Sequence, residues 1–415
     1  MLILENATLC DLAAGELRPG FHVMVENDLI VEVSDKPIRA GSATRLDLDG
    51  RCLLPGLIDA HFHATITESN PANLHELPQT LMTARAANLL RNALMRGFTT
   101  VRDMGGADWG LRTALEEGTL LGPRLYIAGR ALSQTGGHGD LRKRTETRHV
   151  CSCEHALAMM SVVADGKAGV QLASREQLRQ GADHLKVFVS GGVVSQTDPL
   201  ASAQYTDEEL VAAVQEAKSW GKYVAAHAYT ADSILRSVAA GVRTIEHGNL
   251  LNGMAAAMMA ERGAILIPTL ITYEVMHRKR AELGLSAVSA AKLGTVLEAG
   301  LHSVELALGV GVKVGFGTDL LGDFHHFQSE ELLLRSRLQR PHEVIAAATA
   351  VNAEIIGMTG KLGCIAPGAF ADLIAVNGNP MRDLALLQEQ GRYLALIMKG
   401  GREVKNELRE GHNHE

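Results

Sequence analysis

An alternation of short apolar runs with longer helical stretches, from Leu54 to about Gly317, constrains the fold of this chain more than any other feature. The runs are rich in β-branched residues and lack a period of two, as expected for buried strands of consecutive βα units. The eight predicted strands are Gly56–His61, Thr99–Asp103, Arg124–Gly129, Leu185–Ser190, Tyr223–His227, Thr244–His247, Ala264–Thr269 and Lys313–Thr318. Eight units predict an α/β fold of the (β/α)₈ TIM-barrel type, because doubly wound sheets usually stop at about five to seven strands.

The predicted helices support this pattern. Asp207–Trp220 and Ala231–Ala240 have helical period and lie between predicted strands. Glycine follows several helical stretches just before the next strand, where it is the common residue for ending a helix. These glycines are Gly97, Gly181, Gly221, Gly241 and Gly263.

The two ends of the chain have a different pattern. Residues 1–51 and 362–405 contain short alternating strands separated by turn signals such as Gly378-Asn379-Pro380. Neither end could bury a core alone, so we expect the two to form one small β-sandwich domain. The predicted boundaries are residues 1–54 and 362–415 for this domain and 55–361 for the barrel.

Two segments do not fit the barrel pattern. Residues 130–172 show no clear period, and residues 273–289 precede the helix before the last strand. Long connections on a barrel often cover an active site, so we expect functional loops here.

The net charge of the chain limits the classes of partner that it is expected to bind. Its 415 residues carry 40 Lys and Arg against 47 Asp and Glu, a net charge of −7, and they form no basic block. Binding of nucleic acid or of an anionic membrane surface therefore has no electrostatic support, and small molecules are the expected partners.

The N-terminus lacks a basic signal-peptide region, and no apolar run is long enough to span a membrane, so we expect a cytoplasmic protein. The five cysteines are scattered, which argues against a disulfide framework.

Polar residues at the ends of the predicted strands indicate a metal site. The active site of a barrel lies at the C-terminal ends of its strands, where this chain places His61, His63, Lys186, His227, His247 and Asp319. Two histidines at i and i+2 on a strand point the same way, so His61 and His63 can bind one cation such as Zn²⁺. His227 and His247, on neighbouring strands, could hold a second ion.

Several longer strings resemble a known family. They are Leu54-Pro55-Gly56-Leu57-Ile58-Asp59-Ala60-His61-Phe62-His63, Ser133-Gln134-Thr135-Gly136-Gly137-His138, Ser190-Gly191-Gly192-Val193, His227-Ala228-Tyr229-Thr230, Ile245-Glu246-His247-Gly248-Asn249 and Gly315-Phe316-Gly317-Thr318-Asp319. With them the chain resembles the amidohydrolase superfamily over nearly its whole length, and within it the imidazolonepropionase-like, prolidase-type branch. The resemblance implies two divalent ions, with Zn²⁺ expected, bridged by a carbamate that Lys186 forms with CO₂. It also implies that His138 and Tyr229 assist the substrate carbonyl or bind the substrate carboxylate.

The implied reaction is hydrolysis of an amide bond in Xaa-Pro dipeptides or N-acyl amino acids, with a metal-bridging hydroxide as nucleophile. Asp319 is the expected general base and then general acid. One alternative is a carboxypeptidase-like amidohydrolase acting on other N-acyl amino acids, including aromatic mycotoxin amides such as ochratoxin. Another is a cyclic amide hydrolase of the imidazolonepropionase or dihydroorotase type, and a third is a barrel retained as a binding module. Barrels of this kind often assemble, so we expect a homo-oligomer.

Other polar residues are weaker candidates. A substrate carboxylate needs a cationic or multi-donor partner, for which the sequence offers Arg130, Arg142 and Arg144 without fixing their geometry. The string 149–155 contains two histidines and two cysteines but lies outside any strand end, so we do not expect a zinc site there.

Three further features have competing interpretations. His325 and His326 follow Asp319 and either reach the site mouth or have a solvated or capping role. Asp103 is expected to anchor the glycine loop after the second strand rather than bind metal. The terminal residues 411–415 are expected to form a disordered tail.

Overall fold

The computed structural model describes residues 1–142, 145, 160–195 and 198–408. In chain order its strands are β1 (Leu2–Asp11), β2 (Glu16–Glu26), β3 (Leu29–Ser34), β4 (Thr44–Asp47), β5 (Cys52–Pro55), β6 (Leu57–Phe62), β7 (Phe98–Asp103), β8 (Arg124–Ile127), β9 (Ala131–Ser133), β10 (Ser161–Val163), β11 (Leu185–Phe188), β12 (Val224–Thr230), β13 (Thr244–Leu250), β14 (Ile265–Ile267), β15 (Leu373–Val376), β16 (Leu394–Lys399) and β17 (Arg402–Asn406). The α-helices are α1 (Gln79–Met95), α2 (Trp109–Glu116), α3 (Gly166–Arg179), α4 (Asp207–Ser219), α5 (Ala231–Ala240), α6 (Gly253–Arg262), α7 (Leu270–Arg278), α8 (Arg280–Leu283), α9 (Ala287–Gly309), α10 (Glu330–Arg335), α11 (Pro341–Ala346) and α12 (Asn352–Ile355).

The central strands form the predicted parallel barrel. β6 pairs with β7 and β7 with β8, while β9, β11, β12, β13 and β14 pair in that order, all in parallel. The register places Val187 of β11 beside Ala226 of β12, and Ala226 beside Ile245 of β13. Because all these strands run the same way, their C-terminal ends meet at one face of the barrel.

The eighth strand differs from its prediction. Val314 forms only an isolated parallel bridge to Leu266. The segment nevertheless closes the barrel, because Gly315 N donates to Leu266 O at 2.9 Å and Ala60 N donates to Phe316 O at 2.9 Å. A side chain on Gly315 would approach Ile267 Cδ1 to 2.5 Å, so glycine permits this close crossing in place of a regular strand.

The third predicted strand, Arg124–Gly129, is observed as β8, which ends at Ile127 and pairs with β7. The segment 130–172, for which the sequence shows no clear period, contains β9, β10 and the start of α3 where the structure describes it, and β9 pairs with β11. Gly129 lies between β8 and β9 with φ of 67°, which breaks the extended backbone. After this break the chain continues from β8, which pairs with β7, to β9, which pairs with β11.

The predicted helices and their ends are confirmed. α4 spans all but the last residue of its predicted range, and α5 matches its range. All five glycines predicted to end helices have φ between 67° and 95°. This left-handed conformation is one that glycine adopts without the steric cost of a Cβ atom.

The two ends of the chain together form one small β-domain, as expected from the predicted β-sandwich of both termini. Strands β1 to β5 and β15 to β17 make one sheet in the order β17-β16-β15-β5-β1-β2-β3, with β4 paired to β1. The sheet folds over on itself, since Gly368 N, ahead of β15, donates to Ile30 O in β3. Leu4, Leu53 and Leu396 are buried together in its core. The domain boundaries after residues 54 and 361 stay a proposal.

The segment 273–289 is helical rather than irregular. It contains the end of α7, all of α8 and the start of α9. Tyr273 of α7 and Leu293 of α9 are buried in one cluster with Val193 and Tyr229. This segment therefore packs directly against loops at the C-terminal face of the barrel.

No helix of the described residues is long and apolar enough to cross a membrane.

Candidate metal centre

Strand β6 brings two histidines to a carboxylate from the barrel's closing segment. His61 Nε2 lies 3.3 Å and His63 Nε2 3.1 Å from the same oxygen, Asp319 Oδ1. The other ring nitrogen of each histidine is engaged, since His61 Nδ1 donates to Glu246 Oε2 at 2.7 Å and His63 Nδ1 to Gly105 O at 3.3 Å. Two unprotonated Nε2 atoms would then face a carboxylate oxygen, an arrangement of acceptors that requires a proton or a cation between them.

A buried ion pair below this cluster orients His61. Glu246 lies in the barrel interior and accepts from Arg102 Nη2 at 2.8 Å and Thr244 Oγ1 at 2.5 Å as well as from His61. Burial would raise the pKa of Glu246, but the Arg102 guanidinium and His61 hold it well below its usual value. The ionised carboxylate therefore fixes a proton on His61 Nδ1 and leaves Nε2 free to bind a metal.

His247 reaches the cluster from strand six. Its ring centroid lies 5.0 Å from that of His61, and its Nδ1 lies 2.8 Å from Thr269 Oγ1 and 3.9 Å from Asp319 Oδ2. Burial lowers the pKa of His247 well below its usual value, so the ring is neutral and carries a lone pair for a metal.

Three residues at the ends of strands six to eight have a left-handed backbone. They are His247 with φ of 72°, Thr269 with φ of 46° and Asp319 with φ of 53°. Non-glycine residues in this conformation cost about 1–3 kcal/mol each and persist only where the surroundings enforce them. Gly317 shows how tightly this region packs, because a Cβ there would lie 2.7 Å from His61 Cβ.

Asp319 is ionised in this setting. Burial would raise its pKa, but His61, His63 and His247 together hold the pKa well below its usual value. Its side chain is 22% exposed, whereas those of His61 and His247 are at most 3% exposed. The carboxylate therefore lies at the boundary between the buried cluster and the open face of the barrel.

Lys186 is buried beside these residues on strand four. It is 2% exposed, and its Nζ lies 5.7 Å from the centroid of the Phe188 ring. Burial lowers the pKa of Lys186 to about 8, while Glu246 and Asp319 oppose that shift. Glu246 itself pairs with Arg102 at 2.8 Å.

His227, His138 and Tyr229 form the adjoining wall of the site. The His227 ring lies 4.7 Å from that of His247, 4.6 Å from that of His138 and 4.8 Å from that of Tyr229, centroid to centroid. His227 Nε2 donates to Gly191 O at 3.2 Å, which leaves its Nδ1 as the acceptor. Tyr229 shares a hydrogen bond of 2.9 Å between hydroxyls with Tyr273 of α7.

The predicted residues thus gather at one place. Ligand atoms of His61, His247 and Asp319 lie within 4.8 Å of one another. His63 joins them through Asp319, and we call these four residues the metal cluster. Imidazole nitrogens and a carboxylate are the ligands that Zn²⁺ and similar divalent ions take in proteins, so the residues fit such an ion. Lys186 and His227 adjoin the cluster.

Other candidates lie elsewhere. Asp103 anchors the glycine loop as predicted, accepting from Gly105 N and Ala107 N at 2.9 and 3.1 Å. His325 is buried against the Phe62 ring at 4.2 Å between centroids, so it does not face the site mouth, and His326 is exposed. Burial lowers the pKa of His325 to about 3, so its ring is neutral.

Of the three candidate arginines, the structure describes Arg130 and Arg142. Arg142 forms a bidentate ion pair with Asp140, with distances of 2.7 and 2.6 Å. The guanidinium of Arg130 is partly buried, and the burial lowers its pKa. Arg144, the string 149–155 and the tail 411–415 lie outside the described residues.

Several residues of the site gave no clear signal in the sequence. Glu246 stands inside one of the family-like strings, but it is not among the residues that the sequence predicts for the site. Arg102, Thr269 and Tyr273 lie on elements that are distant in the chain and meet only in the folded barrel. The family-like strings could have indicated Glu246, whereas no local pattern marks the other three.

Comparison with known proteins agrees with this geometry. The model of the amidohydrolase family matches residues 52–404. An ochratoxinase from Aspergillus niger is 30% identical over 431 residues, which cover 97% of this chain and 88% of that protein.

Solved structures show the same relationship. The structure of a prolidase in complex with N-methylphosphonate-L-proline matches with a TM-score of 0.95 at 43% identity, covering 98% of this chain and 99% of that chain. A Xaa-Pro dipeptidase with methionine bound in its active site matches with a TM-score of 0.88 at 27% identity, covering 98% and 100%. The resemblance inferred from the sequence is confirmed. The chain is a member of the amidohydrolase family, related to prolidases and to ochratoxinase.

Proposed function

We propose that this protein is a binuclear metal-dependent hydrolase that cleaves the amide bond of Xaa-Pro dipeptides or N-acyl amino acids. One observation carries the proposal: Nε2 atoms of His61 and His63 face Asp319 Oδ1 at 3.3 and 3.1 Å while both Nδ1 atoms donate elsewhere. Such a group of acceptors at the open end of a barrel suits a divalent cation.

The proposed ligands divide between two ions. His61 and His63 would hold one and His227 and His247 the other, with a carbamate on Lys186 between them and Asp319 as a further ligand. The carbamate is supported by the burial of Lys186 on β11, next to β12 with its proposed ligand His227, because an anionic group there can share two cations and an ammonium cannot. Bound ions of this kind, for which Zn²⁺ is our first choice, polarise a carbonyl group and allow water to ionise near neutral pH.

Asp319 is the proposed proton carrier. Oδ1 lies within 3.3 Å of both histidine Nε2 atoms, whereas Oδ2 lies 3.9 Å from His247 Nδ1. Oδ2 can therefore accept the proton of the attacking water as a general base. The same atom would then deliver that proton to the leaving nitrogen as a general acid.

His138 and Tyr229 are the proposed substrate-facing residues. The His138 side chain is 17% exposed and stacks on His227, and Tyr229 stacks on His247 with 5.2 Å between centroids. Both lie beside proposed metal ligands and carry a hydrogen-bonding group. They can donate to the scissile carbonyl oxygen or to the substrate carboxylate, which orients the amide over the metal cluster.

The relatives guide the choice of substrate. The related prolidase structure holds N-methylphosphonate-L-proline, which supports an amide of proline. The relationship to ochratoxinase supports a second candidate, a carboxypeptidase-like activity on an aromatic N-acyl amino acid. In both cases the chain's own residues would perform the same steps. A cytoplasmic location and a homo-oligomeric state remain predictions.

Metal analysis followed by a substrate panel tests the proposal. The purified protein should contain about two divalent ions per chain and hydrolyse members of a panel of Xaa-Pro and Xaa-Arg dipeptides, N-acyl amino acids and ochratoxin-like amides. Turnover of ochratoxin-like amides alone would select the second candidate. One ion per chain, with turnover confined to cyclic amides or to deamination, would refute the binuclear amide hydrolase.

A further inference from the structure

A buried lysine outside the metal cluster is held by main-chain carbonyls. Lys292 of α9 is 9% exposed, and its Nζ donates to Gly192 O at 2.9 Å, Ser195 O at 2.8 Å and Asp198 O at 2.5 Å. An ammonium group has three donors, so these three acceptors satisfy it completely. All three belong to the loop after β11, which we call the strand-four loop (residues 190–195 and 198–204).

The same loop holds His138. Ser195 Oγ lies 2.7 Å and Asp198 Oδ2 3.6 Å from His138 Nδ1. Gly192, the third residue whose carbonyl accepts from Lys292, lies directly against the imidazole, since a Cβ on Gly192 would be 1.9 Å from His138 Cε1. Each of the three residues that bind Lys292 through its carbonyl therefore also contacts the His138 ring.

The loop also sets where that ring lies relative to the metal ligands. His138 stacks on His227 with 4.6 Å between centroids and an interplanar angle of 21°. His227 in turn donates to Gly191 O of the same loop at 3.2 Å. A displacement of the loop would therefore move His138 with respect to His227.

We propose that Lys292 is a positioning residue that holds His138 in place through the strand-four loop. The proposal rests on the role assigned to His138 under the proposed function. Without the ammonium, the carbonyls of Gly192, Ser195 and Asp198 lose its three hydrogen bonds, and the loop must move to find water or another donor for them. A shift of about 1 Å in a substrate-facing group can reduce the rate about 100-fold.

The helix that carries Lys292 has other anchors. Leu293 and Val296 of α9 pack in a buried cluster with Val193 and Tyr229. A Lys292→Met substitution keeps the apolar stem of the side chain and these contacts, and it removes only the three donors. The variant should therefore fold with its metal cluster intact while the strand-four loop loosens.

A double-mutant cycle separates positioning from general stability. Lys292→Met should lower kcat/KM about 10- to 100-fold in the wild-type background and less than about 3-fold in a His138→Ala background, at unchanged metal content. Lys313→Met removes an exposed lysine that pairs with Glu354 and should leave kcat/KM unchanged. Equal losses from Lys292→Met in both backgrounds would overturn the proposal.

Crystal structures of the wild type and of Lys292→Met provide a readout that needs no activity. The proposal expects the His138 and His227 rings to separate beyond their 4.6 Å distance, or the His138 ring to lose its single position. An unchanged His138 ring in the variant would overturn it. A wild type that turns over no substrate of the panel would refute the proposed function, and the crystal structures would still decide whether Lys292 positions His138.

Discussion

The metal cluster and the adjoining wall of the site, formed by His227, His138 and Tyr229, are built differently. The cluster residues stand at the ends of strands and of the barrel's closing segment, and the buried pair of Glu246 and Arg102 braces them from below. The wall depends on contacts with the strand-four loop and with helices α7 and α9. We therefore expect substitutions of residues that support the metal cluster, such as Glu246, to change metal binding. Substitutions of residues that support the wall, such as Tyr273 and Lys292, should change turnover alone.

The largest effect is expected from Lys186, where the two regions meet. Lys186→Ala should lose both bound metal and activity, because no group would remain to bridge the two ions. Metal content by elemental analysis and turnover of an Xaa-Pro substrate should fall together to background. Short carboxylic acids should restore part of both, since they can occupy the place of the carbamate. A variant with full metal content and activity would exclude the carbamate.

Substitution of Asp319, a member of the metal cluster, should reduce turnover much more than metal content. Asp319→Asn leaves four histidines and Lys186, so it should keep much of the metal while turnover falls by about two to four orders of magnitude, the usual contribution of a positioned acid or base. Both quantities are measured in one preparation. Asp323→Asn, an exposed carboxylate four residues further on, serves as the control and should behave like the wild type. Near-normal turnover of Asp319→Asn would remove it from the mechanism.

Glu246 tests whether the support of the cluster acts on metal affinity. In Glu246→Gln the new amide NH₂ must face a donor, either Arg102 Nη2 or His61 Nδ1, because the carboxylate accepts from both. We expect metal affinity to fall about 10- to 100-fold, as for other residues that orient a metal-binding histidine.

The same substitution should also lower stability. Arg102 would be left buried without its counter-charge, which typically costs about 3–5 kcal/mol of unfolding free energy. Denaturant unfolding of the metal-free protein measures this cost. Glu354→Gln removes a carboxylate that pairs with exposed Lys313 and should cost less than about 1 kcal/mol. Equal losses in the two variants would contradict a special role for the buried pair.

The smallest effect is expected at Tyr273, whose hydroxyl contacts that of Tyr229 in the wall. Tyr273→Phe removes the hydroxyl that bonds Tyr229, a neutral hydrogen bond of about 0.5–1.5 kcal/mol, so kcat/KM should fall about 2- to 10-fold. Metal content should stay unchanged, because the ring still packs in its buried cluster. Tyr393→Phe, in the terminal β-domain, is the matched control. A loss of metal in Tyr273→Phe would show that the wall and the cluster are not separable.

The sequence by itself determined the barrel and the identity of the residues at its open face. Buried parallel strands appear as apolar runs, and their C-terminal ends share one face, so His61, His63, His247 and Asp319 could be expected to meet. The same reasoning located the helix ends at glycines and assigned both termini to one β-domain. These are local signals, because strand and helix periods are set by neighbouring residues.

Only the tertiary structure decided which groups support that face. The bond from Glu246 to His61 spans 185 residues, and the one from Lys292 to Gly192 spans 100 residues. Closure of the barrel through Gly315, without a regular eighth strand, likewise depends on close approach to Ile267. Such contacts join elements whose relative position follows from packing of the whole barrel, which no local pattern of residues specifies.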